Sequence, residues 1–172
     1  MEITSGYFDN LRTAPIRPGA IILGKLLAVG LRAAVQVALV VAIILAMGGR
    51  IATGIGGFFV ILLLGAFFGI AWSGIGMTIA LLTRNQRATQ SAFILFFPFT
   101  FITTAQLPLN LLSGGYRTAV LLNPVTYILE AFRALTTNGW DAPTLARGFG
   151  AAAGVAVLTI TAALVAFRKA TR

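Results

Sequence analysis

The sequence holds no cysteine and no histidine in 172 residues, and only four carboxylates, Glu2, Asp9, Glu130 and Asp141. Their absence excludes a disulfide framework, a thiolate zinc site, a cysteine nucleophile and any triad built on histidine. Charge of either sign is scarce. Charged residues make up 10 % of the chain, against about 25 % in an ordinary soluble domain, too few to cover a surface that faces water. Hydrophobic residues make up 58 %. The chain is of one-domain length, with no internal repeat and no low-complexity segment, and it reads as a membrane protein.

A spanning helix needs about 20 apolar residues. Four stretches approach that length: 26–48, interrupted by Arg32 and Gln36; 55–82, without a charge; 91–105, short and carrying Pro98, which predicts a kink; and 148–167, closed by the basic tail 168–172. The first run lies too far from the N-terminus, and is too long, to be a signal peptide. Thirteen basic residues give a net charge of +9, but they stand singly or in pairs beside apolar runs. That is a pattern that sets topology rather than one that binds nucleic acid. With the N-terminal segment, the loop 83–90 and the tail on one side, nine basic residues face four. The excess predicts that both termini are cytoplasmic.

Several chemistries fail on inspection. Gly19 to Lys25 has the glycine and lysine spacing of a phosphate-binding loop. Leu26 stands where Ser or Thr would hold magnesium, and Ala, Ile and Leu fill the loop. Intramembrane proteolysis by an aspartyl pair needs two carboxylates inside spans, and the four spans have none. Carriers driven by protons or sodium usually place ionisable groups in the membrane. Here Arg32 is the one charge well inside a span. It forms a stripe with Lys25 and Gln36, and it can either snorkel to the cytoplasmic interface or line a pathway or a subunit contact.

Two segments are neither span nor tail. In residues 1–25, Gly6 to Thr13 predicts a short helix with Tyr7, Leu11 and Ala14 on one stripe and Phe8 beside it, ended by Pro15 and Pro18. Taken alone, that pattern suits an interfacial anchor. In the outer region 106–147, Asn123 is a good N-cap and Pro124 a good first helical residue. The spacing predicts one amphipathic helix of about four turns, with Val125, Ile128, Leu129, Phe132 and Leu135 on the apolar face. Thr126, Tyr127, Glu130, Arg133 and Thr137 lie on the polar face, and Asn138-Gly139 is the stop. Glu130 and Arg133, spaced i, i+3, can pair, and Trp140 suits an interfacial anchor. Gly65/Gly69 and Gly150/Gly154 are two GxxxG pairs that favour close helix packing.

Three stretches in order, SGYFDNLRTAPIRPGAIILGKLLA, Leu107-Pro108 after a Phe-rich span, and NPVTYILEAFRAL followed by NGWD, resemble ABC-2 type transporter permeases. The likeness is greatest to the branch of daunorubicin and polyketide-antibiotic exporters. The resemblance implies an all-helical polytopic membrane protein with four spans, a cytoplasmic coupling helix and an outer re-entrant helix. The family's N-terminal helix and first two spans would then lie outside this sequence. It implies a permease subunit of an ATP-driven exporter of an amphipathic drug, lipid or glycoconjugate, working by alternating access in a bacterial plasma membrane. Its partners would be an ABC ATPase subunit, which holds ATP and magnesium, a second permease copy and the bilayer; no cofactor and no nucleic acid would bind this chain. It turns the anchor reading of the first helix into a coupling role for Tyr7, Phe8, Leu11, Arg12 and Pro15. It places Arg32 and Gln36 on the inner half of a pathway helix. It makes Asn123, Pro124, Tyr127, Glu130 and Arg133 part of an outer gate. Two other classes stay open: a channel or carrier without an ATPase, and a membrane scaffold or fragment that transports nothing.

Overall fold

The computed structural model describes residues 18–83, 85, 94 and 97–170, and every regular element among them is helical. Helix α1 spans Pro18–Ala46 and α2 spans Gly54–Thr83. A short 3-10 turn at Leu109–Leu111 leads to α3, Gly114–Leu122, and α4, Pro124–Arg133. A π turn at Ala134–Asn138 follows, then α5, Ala142–Ala170. Three helices, α1, α2 and α5, are long and apolar enough to cross a membrane. At 1.5 Å per residue each is about 43–45 Å long, more than the ~30 Å hydrocarbon core. Gly19 to Lys25 lies within α1, so that stretch is helix and offers no phosphate cradle. Of the expected span 91–105, residues 97–101 are helical and 102–105 are irregular; residues 91–93, 95 and 96 lie outside the described set.

The ends of these helices follow from local chemistry. Helix α1 closes on a glycine in the left-handed region, Gly48 with φ +88°. The Gly49 N–H donates to the Ile44 carbonyl at 2.9 Å and the Gly48 N–H to that of Leu45 at 3.0 Å, the paired bonds of a Schellman stop. Asp141 precedes α5, and its carboxylate accepts from the Thr144 hydroxyl at 2.6 Å, which suits the positive end of a helix. Helix α5 thus starts six residues earlier than the apolar run suggests and takes in Arg147, because Asp141 supplies a start that hydropathy does not register.

Close packing rests on missing side chains. A Cβ built on Gly69 would meet that of Ala33 at 2.5 Å, one on Gly65 would meet Val37 at 2.7 Å, and one on Gly30 would meet Ile70 at 2.9 Å. The Gly65/Gly69 pair therefore seats α2 against α1, and the pairing order makes the two antiparallel. Leu64 clusters with Ala152, and the Thr159 hydroxyl donates to the Ala71 carbonyl at 3.0 Å, so α2 and α5 run parallel. Ile128 joins the Leu64–Ala152 cluster and Ala131 packs on Gly148, so α4 runs antiparallel to α5. The other pair, Gly150 and Gly154, has open space beside it.

These directions define an upper end, with the α1–α2 loop and the start of α5, and a lower end, with Pro18, Thr83 and Ala170. Trp140 lies at the upper end with its ring edge against Gly56. A π turn frees carbonyls that an α-helix would use. Those of Leu135 and Thr136 are taken instead by the α1–α2 loop, from the Thr53 hydroxyl at 2.8 Å and from the N–H groups of Thr53 and Ala52 at 3.3 and 3.1 Å. Thr53→Val keeps the shape and the N–H bond but removes the hydroxyl. Its expected cost is about 1 kcal/mol, read as a small drop in the thermal unfolding midpoint in detergent.

Candidate functional site

Two polar features interrupt the apolar bundle. The first is on α1. Gly30, Ala33, Val37 and Val41 face α2, and Lys25, Arg32 and Gln36 lie exposed on another face. Arg32 lies within Leu23–Ala46, a stretch long and apolar enough to cross a membrane. A guanidinium facing lipid at the centre of a span costs roughly 2.5–3.5 kcal/mol on insertion scales.

The second feature is a helical corner in the upper half. Asn123, extended at φ −83° and ψ 117°, separates α3 from α4. Its Oδ1 accepts from the Val125 N–H at 3.0 Å, and Pro124 takes the first helical position, where its missing N–H costs nothing. Two bonds brace the corner: the buried Thr126 hydroxyl donates to the Val120 carbonyl at 2.7 Å and the exposed Tyr127 hydroxyl to that of Leu121 at 2.8 Å. The expectation that Thr126 sits on a polar outer face is corrected here. Helix α4 buries Thr126, Ile128 and Ala131, because the corner supplies the acceptor that lets a hydroxyl turn inward. The predicted four-turn helix is likewise shorter, ending in the π turn, and Gly139 with φ +102° closes it.

The same corner receives the irregular end of the 97–101 helix. Asn123 Nδ2 donates to the carbonyls of Phe99 and Ile102, at 2.9 and 2.8 Å. The Tyr116 hydroxyl, from α3, donates to the Phe101 carbonyl at 2.6 Å. Arg133, from α4, pairs with Glu130 and donates through Nη2 to the Thr104 carbonyl at 2.6 Å. Thr104 itself is buried, and its hydroxyl lacks a partner. Sequence reasoning found Asn123, Pro124, Tyr127, Glu130 and Arg133, reading a cap and an ion pair from the residues and an outer gate from the resemblance. It missed Tyr116 and Thr104, whose roles depend on groups distant in sequence.

Among the described residues no three potential metal ligands come together. Helix α1, which carries Arg32 and Gln36, and the long helices α2 and α5 contain no Asp or Glu. An open cleft of about 510 Å³ lies at the upper end between Leu45, Ile55 and Phe58, with Arg50 at its wall. The coupling residues Tyr7, Phe8, Leu11, Arg12 and Pro15 lie outside the described residues.

The family model for the ABC-2 type transporter matches residues 1–136. No curated protein and no solved structure matches the chain. The chain belongs to the ABC-2 type transporter family: it is a permease membrane domain, without catalytic function of its own, and the family implies an ABC ATPase subunit as its partner.

Proposed function

We propose that this ABC-2 permease domain serves an ATP-driven exporter, moving an amphipathic substrate of drug, lipid or glycoconjugate type across a bacterial plasma membrane by alternating access. Beyond family membership, one observation carries the reading. The long helices contain no acid and Glu130 on α4 is paired with Arg133, so the long helices offer no carboxylate of the kind that couples proton or sodium movement to transport. Work then comes from the partner ATPase, which binds ATP and magnesium. The drug-exporter assignment is supported by the resemblance of the segments around Gly6 to Ala28 and Asn123 to Leu135.

The parts take these roles. The Gly6 to Pro15 segment is the coupling helix, with Tyr7, Phe8, Leu11 and Arg12 meeting the ATPase. Both termini lie in the cytoplasm, where nine of the thirteen basic residues then fall. Arg32 and Gln36 face a second permease copy or the pathway, which spares Arg32 the cost of lipid. The α3–α4 corner, with Asn123, Pro124, Tyr127, Glu130 and Arg133, closes the outer end. ATP-driven closure of the ATPases switches access from inside to outside through these contacts.

The test is Phe8→Asp together with Leu11→Asp in the assembled transporter. The double variant is expected to insert normally but to lose co-purification with the ATPase, and with it all ATP-dependent export. Unchanged co-purification and transport would overturn the coupling assignment. Transport by the reconstituted permease without an ATPase would favour a self-sufficient carrier.

A further inference from the structure

We infer that Asn123 is the positioning residue that joins the third apolar segment to the rest of the bundle, so that the outer end of the pathway moves as one body. This rests on the reading of the chain as an exporter permease, with the α3–α4 corner at its outer gate. The end of the 97–101 helix leaves carbonyls that no helical N–H can reach. Helix α4 rises about 15 Å from Asn123 to the upper end, which places the corner within the apolar depth of the bundle. Irregular backbone survives there only if protein groups satisfy it.

The corner supplies those groups. Phe99 and Ile102 are served by Asn123, Phe101 by Tyr116 and Thr104 by Arg133. Every one of these donors belongs to α3, α4 or the residue between them. The corner in turn is fixed to α2 and α5 through Ile128 and Ala131, whereas neither buried apolar cluster includes a residue of 97–104. Among the described residues, four side-chain to carbonyl bonds tie residues 99–104 to the corner, and Asn123 makes two of them.

The residue type is specific. Both hydrogens of one amide go to the two carbonyls and its oxygen goes to the helix start, which uses three of its four bonding positions. Serine keeps the cap but lacks the NH₂ that spans two carbonyls. Aspartate keeps the cap and sets oxygens against oxygens.

The experiment uses the intact permease–ATPase complex in proteoliposomes, with Asn123→Ser and Asn123→Asp. The chain's lack of cysteine allows a spin-label pair at Phe97→Cys and Leu122→Cys, both exposed positions. In the parent protein that pair should give one narrow distance, with and without ATP. In both variants the distance should broaden. Substrate exported per ATP hydrolysed should fall about tenfold, and the unfolding midpoint should fall with it, because two carbonyls lose their donors. A cap with only a structural role would move the midpoint and leave the distance and the coupling ratio alone. Narrow distances and an unchanged ratio in both variants would overturn the inference. If the parent complex hydrolyses ATP without exporting anything, the exporter reading fails, and the spin-label distances still decide whether Asn123 makes the joint.

Discussion

Gly69→Leu should detach α1 from the bundle. Among the described helices α1 packs substantially only against α2, and the seam is closest where Gly69 meets Ala33. A Cβ there already stands 2.5 Å from the Ala33 methyl, with both atoms fixed to backbone and neither able to swing aside. A leucine adds three more carbons. In lipid no hydrophobic force draws the helices together again, since the tails are as apolar as the side chains; what holds the seam is van der Waals packing at short range. Overpacking of a soluble core costs about 1–3 kcal/mol, and here the strain falls on the main interface of α1 among the described helices. The expected result is loss of the cooperative unfolding transition in detergent and proteolysis of the α1–α2 loop. Gly69→Ala should show the same effect in smaller measure. Gly154→Ala is the control. It belongs to the other GxxxG pair, has open space beside it, and should unfold like the parent. Equal behaviour of the Gly69 and Gly154 variants would contradict the seam.

The second large effect is at Arg133. Its guanidinium holds both the Glu130 carboxylate and the Thr104 carbonyl, and both charged side chains are about three-quarters buried, at 28 % and 23 % exposed. Arg133→Leu strands a carboxylate and a carbonyl together and should destabilise the protein by about 3 kcal/mol, in the range for breaking a buried pair from one side. Glu130→Leu should cost less, because Arg133 keeps the Thr104 carbonyl. The double variant should fall between the parent and Arg133→Leu: the stranded charge is gone and the orphaned carbonyl remains. Unfolding midpoints of the four proteins form the cycle that measures this. An Arg133→Leu protein as stable as Glu130→Leu would show that the Thr104 contact contributes nothing.

Much of the bundle was legible in the sequence because it depends on neighbours in the chain. The absence of charge over Ile55 to Leu82, the Asn123-Pro124 start and the Asn138-Gly139 stop are local, and α2, the start of α4 and the left-handed Gly139 sit where those signals point. The start of α5 was not legible from hydropathy, since the polar residues Thr144 and Arg147 lie inside a helix that Asp141 begins. The π turn and its bonds to Ala52 and Thr53 join residues more than eighty positions apart, and no periodicity announces them. The site was half legible for the same reason. Asn123 declares its cap through the proline that follows, but its NH₂ serves carbonyls at Phe99 and Ile102, and nothing in the local sequence shows which backbone groups will lack partners. Thr126 shows the error in the other direction: a hydroxyl counted as outward-facing by pattern turns inward once an acceptor is waiting.

The directions of the helices carry a consequence in parity. Because α2 and α5 point the same way, the polypeptide must make an odd number of net traverses between Thr83 and Ala142. The first and last described residues, Pro18 and Ala170, lie at the same end of the described bundle, and reporter groups fused beyond either of them should answer identically to an impermeant reagent.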